Sequence, residues 1–186
     1  MANIVVNPGF EAGSTGWIFD GFSVFNNPRF AHSGNNSAAT GCVSHRCVST
    51  QGSGAYISQT LGTASNVGYN LSFWVGENDG PTSEFSVFWN GQLIADVLNP
   101  ANNTLPHPPQ GGMIQFSYNN LLATGAFTVL EVHERQDQSI IFFDDFVVNA
   151  AGNAVPEPGT LGLVSLAIFG VAAARRKSIN SKSGAA

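Results

Sequence analysis

The sequence predicts an all-β sandwich of about eight to ten short strands, followed by a single C-terminal transmembrane helix. Three observations carry this. No stretch before residue 155 keeps a helical apolar period for as much as ten residues, whereas short runs rich in Val, Phe, Tyr, Trp and Thr recur between turn residues. Charged residues make up only 10% of the 186, against 21 glycines and 14 phenylalanines, a balance that suits half-buried strands better than solvated helices. The one long apolar run without charge lies near the C-terminus and ends in cations.

Taken in order, the predicted strands are 4–6, 17–25, 37–43, 55–61, 69–76, 84–89, 92–97, 113–118, 126–134 and 140–148. The first is a β-branched triplet, and the second is rich in aromatics. In 69–76, Leu71, Phe73 and Val75 alternate with Ser72, Trp74 and Gly76, so one face reads as core and Trp74 points away from it. Trp89 falls with Phe85 and Val87, but Phe88 and Leu93 occupy the other face, and periodicity leaves open which side is buried. Asn90-Gly91 marks a tight hairpin, because both central positions of a type I′ turn need positive φ. The longest gap, 99–112, contains Pro100, Pro106, Pro108, Pro109 and His107, and reads either as a functional loop or as a crossover between sheets. Ten short strands at this spacing favour a sandwich over an open sheet.

The tail has three parts. Pro156 and Pro158 hold the peptide around Glu157 extended, the form a processing enzyme takes. The run 160–174 would form a helix of roughly 22 Å, short of the roughly 30 Å hydrocarbon core, so its length alone also fits a buried helix. Arg175, Arg176 and Lys177 decide for the membrane, as a stop-transfer end whose side chains reach the interface. Pro-Glu-Pro, a short apolar helix and a basic cluster, in that order, resemble the PEP-CTERM sorting signal of exported Gram-negative bacterial proteins. The resemblance covers 155–177, and the chain continues past it to Ala186. It implies that an exosortase, a membrane-embedded cysteine protease, recognises Pro156, Glu157 and Pro158 and cuts near them. The body would be held at the inner membrane by its C-terminus, then pass to the cell surface or an extracellular matrix, often where exopolysaccharide is made. The expected organisation is an ectodomain at 1–149, a linker at 150–154, the sorting and anchor segment at 155–178 and a polar tail at 179–186.

Export also requires an N-terminal signal. Residues 1–5 lack the basic region, apolar core and cleavage site of one, so the expectation is a start placed too late or a trimmed chain. Residues 1–154 carry three cations, Arg29, Arg46 and Arg135, against eleven acidic residues. So acidic a body excludes nucleic acid as its partner, since phosphate binding needs a basic face, and it permits calcium or neutral glycans. Cys42 and Cys47 form a local disulfide in an oxidising exterior; free thiols and a metal site with His45 are the alternatives the spacing leaves open.

The body itself resembles the jelly-roll, galactose-binding-like domains that include many carbohydrate-binding modules. The resemblance rests on Asn7-Pro8-Gly9-Phe10-Glu11 with Gly16-Trp17, and on His32-Ser33-Gly34-Asn35-Asn36-Ser37-Ala38. Gln59-Thr60-Leu61 leading to Tyr69-Asn70-Leu71-Ser72-Phe73-Trp74 adds to it, as does Phe143-Asp144-Asp145-Phe146-Val147. It implies Trp17 in the core and a structural calcium ion held by Glu11 with Asp144 or Asp145, its shell completed by Asn35, Asn36 or carbonyls of 32–37. Adjacent strand residues face opposite ways, so only one of the two aspartates is expected to reach a given ion. The alternative is that these side chains satisfy loop amides. For a glycan, Trp74 is the candidate platform, its ring face meeting the apolar face of a sugar.

No nucleophile elbow appears. Ser44-His45 and Ser33 beside His32 are neighbours in sequence alone. Glu131, His133 and Arg135 share a strand face, and Glu77, Asp79, Glu84 and Glu131 offer carboxylates with no fixed separation. The reading is a non-enzymatic, exported, exosortase-processed protein that needs no cofactor and binds glycan through its sandwich. A structural or adhesive matrix component without a small ligand is the alternative, with a polysaccharide-active enzyme behind it.

Overall fold

A computed structural model describes residues 2–41, 54–78, 82–100, 112–137 and 139–152. Cys42, Cys47, His45, Asp79, His107, the motif Pro156-Glu157-Pro158, the run 160–174 and Arg175, Arg176 and Lys177 lie outside the described residues. The chain divides into two compact units, Met1–Ala151 and Gly152–Ala186, and the architecture below is that of the first. Among the described residues no helix is long and apolar enough to cross a membrane.

The body is a sandwich of two five-stranded antiparallel sheets. Its strands are β1 (Ile18–Asp20), β2 (Ser23–Asn26), β3 (Asn36–Gly41), β4 (Ala55–Gly62) and β5 (Gly68–Asn78), then β6 (Thr82–Trp89), β7 (Gln92–Leu98), β8 (Ile114–Leu122), β9 (Phe127–Asp137) and β10 (Ile140–Ala150). One sheet runs β1-β4-β9-β6-β7 and the other β2-β3-β10-β5-β8. Period-2 alternation fills the space between them: Ile57 and Leu61, Leu71, Phe73 and Val75, Phe85 and Val87, and Leu130 and Val132 are all buried. Trp17 joins this core, its ring tilted against Phe10 at 5.3 Å and 5.0 Å from Phe146, its Nε1 donating to the Asn7 carbonyl. Trp89 is also a core residue, which the sequence left open; its Nε1 donates to the Leu122 carbonyl, and Phe88 faces out.

Two expectations need correction. Residues 4–6 form no strand, although Ile4 N donates to the Val148 carbonyl, since the Val6 amide is taken instead by the side chain of Gln59. The run 17–25 is not one strand but two in different sheets. Gly21, at φ +77°, breaks it where the chain crosses the top of the sandwich, a backbone state that favours glycine. The expected hairpin is present, with φ +52° at Asn90 and +79° at Gly91.

Candidate functional site

The segment 31–36 lies between the start of the chain and β10, and carboxylates hold it from both sides. Glu11 Oε1 accepts from the amides of Asn35 and Asn36 at 2.7 and 2.8 Å. Asp144 Oδ2 accepts from the amides of His32 and Ser33 at 2.7 and 3.1 Å, and its Oδ1 from the Asp145 amide. Asp145 meets His32 Nδ1 at 2.6 Å and accepts from Ser33 Oγ at 2.9 Å. Asp144 and Asp145 therefore reach the same loop, against the expectation that they face opposite ways. The reason is a bulge: the β10–β5 register shifts between Asp144 and Val147, and Asp145 sits at φ +48°, so alternation breaks there.

Burial pushes the Asp144 carboxyl up to about 7; neighbouring Asp145 adds to the rise, while the Ser33, Asp145 and His32 amides oppose it. The carboxylates that the resemblance implies as calcium ligands thus all bond to one loop. Their oxygens also meet amide, imidazole and hydroxyl partners, and Asn36 Oδ1 already accepts from Asn26 Nδ2 at 2.6 Å. Among the described residues no group of three or more His, Cys, Asp or Glu is placed to hold a metal ion.

Trp74 does point away from the core, and His32 covers one face of its indole, the rings stacked 3.7 Å apart and 11° from parallel. Nothing in the sequence brings His32 to Trp74, 42 positions away; the carboxylate clamp on 32–33 does so.

The opposite sheet carries a row the sequence indicated only in part. Register aligns Tyr56 of β4, His133 of β9, Ser86 of β6 and Asp96 of β7 across its outer face. The next row holds Ser58, Glu131 and Phe88. Tyr56 stacks on His133 at 5.1 Å, and Phe88 meets the same imidazole edge-on at 5.1 Å. His133 Nε2 pairs with Glu131 Oε1 at 2.8 Å, and Ser86 Oγ donates to Asp96 at 2.8 Å. The result is a strip of three rings flanked by carboxylates and hydroxyls, with Tyr56, Phe88, Glu131 and Asp96 partly exposed. Alternation in β9 gave Glu131 and His133; Tyr56 and Phe88 are added by pairing between strands distant in sequence.

The carboxylates named as hydrolysis candidates are divided between the two sheets where the structure describes them. Glu77 is buried on the inner side of β5, where it accepts from Ser83 Oγ, whereas Glu84 and Glu131 lie on the outer face of the other sheet.

The family described as the PEP-CTERM protein-sorting motif matches residues 154–177. No curated protein matches the sequence. The body is similar to TmCBM61, solved in complex with beta-1,4-galactotriose, at 18% identity and a TM-score of 0.57, covering 81% of this chain and 100% of that one. It is similar to a xylan-binding domain from CBM 22 at 14% identity and a TM-score of 0.54, covering 83% and 99%. The C-terminal family 22 carbohydrate-binding module of Clostridium thermocellum Xyn10B matches at 14% identity and a TM-score of 0.52, covering 80% and 93%. The chain thus carries a PEP-CTERM sorting motif behind an all-β body with the fold of carbohydrate-binding modules.

Proposed function

We propose that this protein is exported, held at the inner membrane by its C-terminal segment until an exosortase cuts near Pro156-Glu157-Pro158, and then acts non-enzymatically at the surface or in the exopolysaccharide matrix as a glycan-binding module. The sorting half rests on the motif at 154–177. Intact mass of the protein from cells with and without an exosortase tests it. A product ending near residues 156–158 only where the protease is present is the expected result; an uncut membrane protein in both overturns processing and leaves an anchor.

The binding half rests on one observation, the strip Tyr56–His133–Phe88 with Glu131 and Asp96 beside it. Ring faces meet the C–H face of a sugar, and the flanking carboxylates accept from its hydroxyls. Trp74, stacked on His32 on the other sheet without a strip of rings beside it, serves as the comparison. In titrations against a polysaccharide panel, Tyr56→Ala is expected to weaken binding about tenfold, the equivalent of a lost ring contact of about 1.4 kcal/mol, and Trp74→Ala much less. A larger loss from Trp74→Ala than from Tyr56→Ala would move the site to the other sheet; no binding by the unaltered protein leaves the matrix-component reading.

Structural calcium at Glu11 with Asp144 or Asp145 is part of the proposal, supported by hard oxygen ligands that bond to one loop. Chelation would lower Tm and added Ca²⁺ restore it; an unchanged Tm in both conditions removes the ion.

A further inference from the structure

Three connections meet at one end of the sandwich: 63–67 between β4 and β5, Asn90-Gly91 between β6 and β7, and 123–126 between β8 and β9. Hydrogen bonds hold them together. Asn66 N donates to the Ala123 carbonyl at 2.8 Å, Ala123 N to Val67 at 2.9 Å and Thr63 N to Ala126 at 2.9 Å. Ser65 Oγ donates to the Thr124 carbonyl, and Asn90 Nδ2 to Thr124 Oγ1. The body's chain leaves at this same end, where Ala151 N donates to the Gly68 carbonyl at 2.7 Å.

One feature distinguishes this end, and a second accompanies it. Its connections and exit strand carry no charged side chain: residues 60–70, 89–95, 117–130 and 146–152 include no Asp, Glu, Lys, Arg or His, although the body around them is acidic. It also presents large apolar side chains to solvent, Leu93 at 43% exposure, Leu122 at 56% and Phe127 at 70%, on a backbone that hydrogen bonds fix in place. Such exposure on an ordered surface marks a contact region.

We infer that this charge-free, apolar end lies in the headgroup–acyl boundary of the bilayer that holds the tail, for as long as the tail is uncut. The inference rests on the proposal that the tail inserts. Residues 153–159 are the only chain between the body and the apolar run, and seven extended residues reach at most about 25 Å. That tether keeps the exit end within reach of the membrane surface. An end without ions can enter the boundary layer with no ionic group to desolvate, and the body's acidic residues stay in water, away from anionic lipid. Cutting the tail removes the tether, and the weak lipid contact then releases the body.

The test uses the full chain in vesicles of phosphatidylethanolamine and phosphatidylglycerol, with and without brominated acyl chains. Phe127→Trp places a reporter at the exit end, and Leu98→Trp, also at an exposed position, places one at the opposite end. Each is read as emission in excess of the unaltered protein. Insertion to roughly 5–10 Å depth should quench the residue 127 signal about twofold and leave the residue 98 signal unchanged. Carbonate-resistant flotation reports the tail separately. A chain that does not float overturns both tail insertion and this inference; a chain that floats with residue 127 unquenched overturns this inference alone.

Discussion

Phe146→Ala is expected to lower Tm by roughly 10 °C, the largest effect of any single substitution argued from this structure, because removing a buried phenyl ring costs about 3–5 kcal/mol in a body of about 150 residues. Phe146 is fully buried, 5.0 Å from Trp17, 4.9 Å from Phe73 and 6.0 Å from Phe10. It joins the initial segment, β5 and β10 at the point where the bulge ends. Because Asp145 is the extra residue, Phe143 and Phe146 both face inward at a spacing of three rather than two. Phe127→Ala, at an exposed ring, should change stability by no more than about 0.5 kcal/mol. Thermal melts of the two variants check the contrast, and equal shifts would mean that the bulge does not place Phe146 in the core.

The second large effect concerns pH. Asp144 is raised from the ordinary 3.8 to about 7 in the folded body, first by burial. The folded state therefore holds a proton between about pH 4 and 7 that the unfolded chain has released, and stability falls as pH rises through that window. At about 1.4 kcal/mol per pH unit of displacement, the loss from this group approaches 4 kcal/mol at neutral pH. In chelated protein, denaturant midpoints should drop from pH 4 to pH 7 and level off above, and Asp144→Asn should flatten the slope. Added Ca²⁺ at pH 7 offers the discriminating arm: an ion beside the carboxylate favours its charged form and would recover the lost stability. A slope indifferent to both the substitution and the ion would mean that the loop amides alone neutralise Asp144.

The sequence by itself determined the elements whose cause is local. Alternation through Leu71, Phe73 and Val75 set which face of β5 is buried, Asn90-Gly91 set a hairpin, and the order of Pro-Glu-Pro, apolar run and cations set a sorting signal at 154–177. Tertiary structure decided what depends on partners distant in the chain. Whether Trp89 or Phe88 is buried turns on which sheet lies opposite, and alternation is symmetric until that is known. The bulge at Asp145 cannot be read from Asp-Asp, because a single extra residue leaves no mark in composition, yet it turns two aspartates onto one loop. Tyr56, His133 and Phe88 come from three strands, and only their register makes one strip of them. Period and turn chemistry act over a few residues and are written in sequence; pairing, crossing and convergence are properties of the folded sheets.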